Sequence, residues 1–106
     1  MIYMTLLASL GKSPVKGKRY RVVLKDAYDH SLIKIIDFAS DEYENFTIHK
    51  DEERRAAYWK RHTGLSKEDM HDPLSAAFWS ANLLWSKPTL QRAKNFIESK
   101  YDVKFI

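Results

Sequence analysis

The sequence contains no cysteine and only three glycines among its 106 residues. Without cysteine the chain has neither a disulfide framework nor a thiolate metal site, so apolar burial and backbone pairing must supply its stability. Three glycines are too few for a glycine-rich phosphate loop, and a Gly-x-Ser-x-Gly nucleophile elbow is missing as well. These absences exclude several common classes of enzyme site.

Long hydrophobic runs are also missing. The most apolar segment, Met1–Leu10, lacks the basic residue that precedes the apolar part of a secretory signal. It is also far shorter than the roughly 20 residues of a membrane-spanning helix. We therefore expect no export and no membrane span. We expect this segment to form a short strand or helix that packs on the domain or on a partner and ends at Gly11 and Pro14.

What the chain does contain is enough apolar material for one core. Hydrophobic residues make up 44% and aromatic residues 13%, more than a disordered chain of this length carries. A length of 106 residues suits one small domain. The formal net charge of +4 favours an acidic partner such as nucleic acid, an anionic membrane or an acidic protein face, although solubility alone also explains a charge of this size.

Two segments rich in β-branched and aromatic residues predict a β-hairpin. They cover 20–24 and 32–38, and residues 26–31 between them have turn composition. Because an isolated hairpin is marginally stable in water, the helices that follow must cover its apolar face. We predict an α+β fold, an N-terminal β-hairpin covered by three short helices in a single small domain. In this division, residues 1–18 are an N-terminal arm and residues 19–106 form the domain.

Three helices are predicted after the hairpin. The first covers 49–62, with Thr47 as its N-cap and Gly64 as its stop. The second begins at Asp72–Pro73 and ends near Trp85. The remaining elements are an amphipathic third helix and a terminal strand, at 90–101 and 103–106.

Basic residues fall into two groups, one in the acid-free stretch 12–21 and one on the first predicted helix. They are Lys12, Lys16, Lys18, Arg19, Arg21, Arg54, Arg55, Lys60 and Arg61. On a shared face they would neutralise phosphates, and Tyr20, Tyr58 and Trp59 would stack bases of a single strand. The alternative is that the aromatic rings lie in the core and the cations are solvated. Nucleic-acid or partner binding is the hypothesis for these nine cations.

Histidine and acidic residues offer ligand types without a recognisable site. His49 lies close to Asp51 and His71 lies next to Asp72, but a metal site needs three or four convergent ligands. The acids of Asp51–Glu53 are consecutive, so they point around a helix rather than toward one another. We predict no metal, no cofactor and no enzymatic activity.

A different class of function is a structural protein that acts only through interactions. In that case the aromatic-rich helices and the apolar ends, Met1–Leu10 and Val103–Ile106, would bury against other subunits. Tyrosine, tryptophan and arginine are the expected contact anchors. A soluble monomer with no exposed apolar patch would weaken this hypothesis.

Several motifs between positions 45 and 90 carry a family resemblance. They are Asn45–Arg55, Tyr58, Arg61–His62, Phe78–Ser80 and Leu83–Leu90. The pattern resembles an uncharacterised family of small basic proteins from large nucleocytoplasmic DNA viruses, over about residues 19–96. Its defining positions here are His49, Asp51, Tyr58, His62, Trp79, Trp85 and Pro88. The chain departs from the pattern in two places, with Phe38–Ala39 instead of Phe-Gly and Ala76–Ala77 instead of a small residue followed by glycine.

The resemblance implies a viral origin and no particular activity. A large icosahedral virion needs small adaptors between its shell, membrane and genome. The leading hypothesis is therefore a non-enzymatic viral structural protein, a minor capsid or capsid-associated component with other virion proteins as partners, located in the virion or host cytoplasm. Nucleic-acid binding is the alternative, and an enzyme is third. A solvent-filled cleft joining His49, Asp51, Arg54 and His62 would favour the enzyme.

Overall fold

A computed structural model of the protein describes residues 5–63 and 69–106 as a sheet with helices packed against it. The strands are β1 (Leu6–Lys12), β2 (Lys18–Asp26), β3 (Leu32–Ser40) and β4 (Val103–Phe105). The helices are α1 (Phe46–His49), α2 (Glu52–Thr63), α3 (Ala76–Leu84) and α4 (Leu90–Lys100), and a 3-10 turn covers Asp69–His71. The predicted α+β fold in a single small domain is confirmed.

The described strands form one sheet in the order β3-β2-β1-β4. The predicted hairpin is present as the antiparallel pair β2 and β3. The sheet is larger than predicted, because β1 pairs antiparallel with β2 and parallel with β4. Residues 6–12, which the sequence analysis assigned to an arm, thus form an inner strand in which Leu6 and Ala8 are buried.

The core lies between one face of the sheet and the helices α3 and α4. Alternate residues of a strand point to the same face of a sheet, and so do residues paired across neighbouring strands. The buried strand residues all lie on one face by this rule. They are Leu6, Ala8, Val22, Leu24, Ile36, Phe38 and Val103. α3 contributes Phe78, Trp79, Leu83 and Leu84, and α4 contributes Ala93 and Ile97. The apolar character of α3 therefore reflects its central position, as its sequence indicated.

α2 packs on α3 rather than on the core of the sheet. Tyr58 of α2, Met70 of the 3-10 turn and Ala81 of α3 form a separate small buried cluster. The sheet is thus covered by two helices, with α2 docked beside them, which corrects the picture of three helices lying on a hairpin. In the described ranges no helix is long and apolar enough to cross a membrane.

The prediction of where the first helix starts was wrong. The structure divides it into α1 and α2, because Lys50 adopts a left-handed backbone conformation with φ of 54°. The N-cap of α1 is Asn45, whose side chain accepts a hydrogen bond from the backbone N–H of Thr47. Asp51 then accepts hydrogen bonds from the first turn of α2. The predicted stop, Gly64, lies outside the described residues.

α3 and α4 each begin directly after a residue whose side chain caps the helix. α3 begins after Ser75, three residues later than predicted, because Asp72 instead accepts from Leu74 N–H in a turn. α4 begins after Thr89, whose hydroxyl accepts from Arg92 N–H. The predicted third helix and terminal strand are confirmed as α4 and β4.

Candidate functional site

A continuous series of aromatic rings connects α1, α2 and the end of α3. Tyr58 lies between His62, with ring centroids 4.0 Å apart, and Trp85, 4.4 Å away with the two planes only 3° from parallel. The series continues from Trp85 to His49 at 5.2 Å and from His49 to Phe46 at 6.3 Å. We call His62, Tyr58, Trp85, His49 and Phe46 the aromatic column.

Polar contacts fasten α2 to the carbonyls at the end of α3. Trp59 Nε1 donates to the backbone oxygen of Trp85 at 2.7 Å. Arg55 Nε donates to the oxygen of Ser86 at 3.1 Å, and its guanidinium lies 5.5 Å from the ring centre of Phe46. The last carbonyls of a helix receive no hydrogen bond from within the helix, and the Trp59 and Arg55 side chains supply the missing donors. Four predicted motif residues, His49, Tyr58, His62 and Trp85, together with Arg55 therefore hold α1 and α2 against α3.

Packing in the aromatic column alters the ionisation of the Tyr58 hydroxyl and the hydrogen bonding of the His49 ring. Burial raises the pKa of the Tyr58 hydroxyl to about 12, with nearby Arg61 opposing the shift. Both faces of the Tyr58 ring are covered by neighbouring rings, so this side chain cannot stack a nucleic-acid base as the sequence suggested. His49 Nδ1 accepts from Asp51 N–H at 2.9 Å, which places the proton of the neutral ring on Nε2. Within the described chain, Nε2 is buried and has no hydrogen-bond partner.

A cleft of about 450 Å³ opens beside the column, between α2, α3 and the segment 39–45. Tyr58, His62 and Trp85 form part of its wall, and Arg61 lies at its edge. A second cleft of about 390 Å³ shares Arg61 and Trp85 with the first and is also lined by Arg54. Five of the residues predicted from the sequence thus meet around these two clefts.

The first basic group is partly used in internal contacts. Arg21 donates to both carboxylate oxygens of Asp37, at 2.9 and 3.0 Å, and the Ser13 hydroxyl donates to the same carboxylate at 2.7 Å. The hydrogen bonds from Arg21 and Ser13 lower the pKa of Asp37, and Asp37 raises the pKa of Arg21. Arg19 donates to the backbone oxygens of Asp41 and Tyr43. The exposed members of this group are Lys12, Lys16 and Lys18.

The second basic group lies on α2 and is separated from the first by an acidic segment. Arg54 is 3.9 Å from Glu44, and Arg19 binds the backbone of the same segment, 41–44. That segment carries the exposed acids Asp41, Glu42 and Glu44. Lys60 and Arg61 are exposed near the end of α2. The nine predicted cations therefore do not form one uninterrupted basic face.

The residues proposed for an enzyme site do not converge on one cleft. His62 lines the first cleft and Arg54 the second, while His49 and Asp51 line neither. Among residues 5–63 and 69–106, no three histidine, aspartate or glutamate side chains are grouped closely enough to hold a metal ion. The two other motif residues lie elsewhere: Trp79 is fully buried under the sheet, and Pro88 is half-buried in the link between α3 and α4.

One surface was missed by the sequence analysis. The face of the sheet that points away from α3 and α4 has no covering layer in the described part of the chain, and we call it the open sheet face. It comprises Leu7, Ser9, Arg21, Val23, Lys25, Ile35, Asp37 and Lys104, placed there by alternation and cross-strand pairing. The alternation of residues in β2 could have predicted the part of this face that β2 contributes. The part from β1 could be predicted only by recognising Leu6–Lys12 as an inner strand.

Comparison with known proteins matches part of the chain to a family. Residues 8–62 match the model of a family of unknown function, DUF5754, and this range covers most of β1, all of β2, β3 and α1, and nearly all of α2. No curated protein and no solved structure matches the chain.

Proposed function

The chain belongs to DUF5754, a family of unknown function, and we propose that it is a non-enzymatic viral structural protein. In this proposal it is a small basic virion component, a minor capsid protein or capsid-associated adaptor, that binds other virion proteins. The viral setting rests on the motif resemblance between positions 45 and 90. The observation that supports an adaptor is the open sheet face.

The open sheet face has the composition of a protein-binding surface. Its middle row pairs Val23 with Ser9 on one side and Ile35 on the other, and Ile35 remains 43% exposed. The next row places Leu7 between Lys25 and Lys104. A sheet face that only meets water normally carries polar side chains. Aliphatic side chains flanked by cations instead favour a partner with an apolar centre and an acidic rim.

The packing of the motif residues supports a non-enzymatic role. His49, Tyr58, His62 and Trp85 are each engaged with another ring, and Asp51 caps α2. These contacts explain the residue types without a substrate. An enzyme with a His/Asp/Arg site therefore remains the third hypothesis.

Fractionation of virions tests the proposal directly. The protein should co-purify with intact particles and, after disruption, should follow the capsid proteins, as measured by quantitative mass spectrometry. Its absence from purified virions would contradict the proposal.

Two matched substitutions test the surface. Ile35→Glu places a charge in the middle of the open sheet face, whereas Tyr28→Glu makes a similar change at a residue that is 95% exposed in the turn after β2. Both variants should fold, because neither position belongs to the core. Incorporation into virions should fall at least about tenfold for Ile35→Glu, the effect of one interface anchor, and should stay unchanged for Tyr28→Glu. Equal incorporation of both variants would exclude the open sheet face as the binding surface.

Nucleic-acid binding through the predicted cations is the second candidate. Lys12, Lys16 and Lys18 support it, because their side chains are exposed at the end of β1, in the loop after it and at the start of β2. Charge reversal of all three should then weaken binding and flatten its dependence on salt. Unchanged binding of that variant would remove this loop from consideration.

A further inference from the structure

A shallow groove on α4 has a different composition from the clefts beside the aromatic column. Its volume is about 380 Å³, and it is lined by Lys87, Arg92, Asn95, Phe96 and Ser99. None of these five residues is acidic. Ala93 and Ile97 of the same helix are buried in the core, so the groove lies on another side of α4.

Two cations, Lys87 and Arg92, line this groove, and a third, Lys100, contacts its Phe96 ring. The Lys87 ammonium lies 5.1 Å from the ring centre of Phe96, and the Lys100 ammonium lies 5.6 Å from the same ring. A cation–π contact positions an ammonium without neutralising its charge. Arg92 is exposed and forms no ion pair within the ranges that the structure describes. All three charges are therefore available to a ligand.

The acid on α4 points elsewhere. Glu98 is two residues from Phe96, which places it well around the helix from the groove at about 100° per residue. Its carboxylate accepts a hydrogen bond from Phe105 N–H at 2.9 Å, which holds it toward β4. The groove thus differs from the predicted basic groups, whose Arg19 and Arg54 contact the acidic segment 41–44.

We propose that the α4 groove binds the phosphodiester backbone of nucleic acid. Arginine binds phosphate through a fork of N–H groups and lysine acts as a point charge. The side-chain oxygen of Asn95 accepts from Gln91, so its Nδ2 group can donate to a phosphate oxygen, whereas the Ser99 hydroxyl donates to the backbone oxygen of Phe96. Arg92 and Lys100 are eight residues apart, or about 12 Å along the helix, which spans roughly three or four nucleotides of a strand.

In this proposal the groove binds nucleic acid without base specificity. The ring of Phe96 already carries two ammonium groups, so it is not a free platform for base stacking. Contacts to the backbone alone give binding that is independent of base sequence and sensitive to salt. This inference goes beyond the proposed function and does not depend on it, because the groove and the open sheet face are formed by different residues.

The test uses the full chain with a fluorescently labelled oligonucleotide of about 20 nucleotides, as a single strand and as a duplex, in an anisotropy titration at several salt concentrations. For three phosphate contacts the logarithm of the association constant should fall with the logarithm of salt with a slope of about −2 to −3. Whichever form binds with this slope identifies the source of the phosphodiester. No binding of either form at low salt would overturn the proposal.

A pair of double variants locates the site. Lys87→Glu with Arg92→Glu should weaken binding at low salt by at least about tenfold and should reduce the slope by roughly 2. Lys34→Glu with Lys50→Glu changes the net charge equally at two exposed positions outside the groove and outside the predicted basic groups, and should leave affinity within about threefold. Equal loss in both would show a net-charge effect and overturn the assignment.

Two controls keep the result interpretable. Circular dichroism and thermal melting should match the wild type, and Lys87→Ala with Arg92→Ala replaces the reversal variant if that one unfolds. Polyglutamate is the competitor that separates ligand classes. Displacement of the oligonucleotide only by excess nucleic acid supports the phosphodiester, whereas equally effective displacement by polyglutamate would reassign the groove to an acidic protein.

Discussion

Ala39 adopts a backbone φ of 66° at the end of β3, where it lines the first cleft. This left-handed conformation is costly for residues with a Cβ and is readily adopted by glycine. The motif comparison expected glycine here. Alanine adopts here the left-handed conformation that glycine adopts readily, so the departure from the pattern did not remove this backbone conformation.

Substitution of Ala39 measures this strain. Ala39→Gly should raise the free energy of unfolding by about 0.5–1 kcal/mol, because relief of about 1–2 kcal/mol of strain exceeds the added entropy of the unfolded chain. Ala39→Val should lower it by at least about 1 kcal/mol, because β-branched residues rarely adopt positive φ. Urea unfolding measures both. A less stable Ala39→Gly protein would mean that packing of the Ala39 methyl group outweighs the strain.

Tyr58 predicts a late ionisation at alkaline pH. Burial raises its pKa from 10.0 to about 12, so its contribution to stability is fully present below pH 10 and is lost as the pH rises through 12. Ultraviolet titration of tyrosinate should show a late step that is missing in Tyr58→Phe. That variant should also lose stability less steeply in this pH window. An unchanged late step in Tyr58→Phe would assign it to another tyrosine.

Asp37 predicts a loss of stability in acid. Its pKa lies below the usual 3.8 because Arg21 and Ser13 donate to the carboxylate. Its contribution is therefore present above that value and disappears as the pH falls through the lower pKa of the folded state. Asp37→Asn should melt earlier than wild type near neutral pH, with a difference that shrinks below about pH 4. The exposed Glu42→Gln variant controls for the change in net charge and should show no such convergence.

At the scale of elements, the attachment of α2 is the feature most dependent on the aromatic column. Few side chains of α2 are buried, and Tyr58 is the clearest apolar anchor among them. The column therefore stabilises the docking of a helix whose own sequence is strongly polar. Its loss should release α2 before the sheet unfolds.

Truncation of the column tests this order. Trp85→Ala should cost about 3 kcal/mol of stability and should speed hydrogen exchange in α2 more than in β2. Trp85→Phe keeps a ring against Tyr58 and should retain most of the stability. Uniform acceleration of exchange across α2 and β2 would show that the helix and the sheet unfold as one unit.

The helix boundaries show which helix starts can be predicted from N-cap residues and apolar spacing. α4 begins at Leu90, where the apolar spacing predicted a helix, and Thr89 caps it, so the cap and the apolar spacing agree locally. The start of the first helix could not be predicted in the same way, since Asn45 and Thr47 are both suitable N-caps. The choice was made by tertiary packing, which buries Asn45 and Phe46 and places Lys50 in the left-handed region.

At the scale of the whole molecule, β1 decides the architecture. It joins the β2–β3 hairpin to β4, which comes from the far end of the chain. Parallel pairing of Leu6 with Val103 has no local signal, because neither segment indicates which partner it will meet. Local patterning therefore predicted a hairpin where the protein has a larger sheet.

Adjacent residues of β1 distinguish an inner strand from an arm. Ala8 is fully buried in the core, whereas Ser9 is exposed on the open sheet face. Ala8→Asp should destabilise the protein by about 3 kcal/mol or more, because it buries a carboxylate without a partner, and Ser9→Asp should change stability by less than about 1 kcal/mol. Thermal melting compares them. Equal tolerance of both would restore the description of residues 1–18 as an arm outside the core.

The sequence by itself determined the α+β class, the β2–β3 hairpin, α4 and the terminal strand, because periodicity, turn residues and caps act between neighbours. Tertiary structure alone decided that His49, Tyr58, His62 and Trp85 form one column, because ring contacts join residues far apart in the chain. It also decided which cations are engaged internally, since charge is visible in a sequence and its partner is not. The open sheet face has the same origin, because distant strands pair and leave those side chains outside. The α4 groove is different, because helical spacing within residues 87–99 brings Arg92, Asn95, Phe96 and Ser99 to one side of the helix.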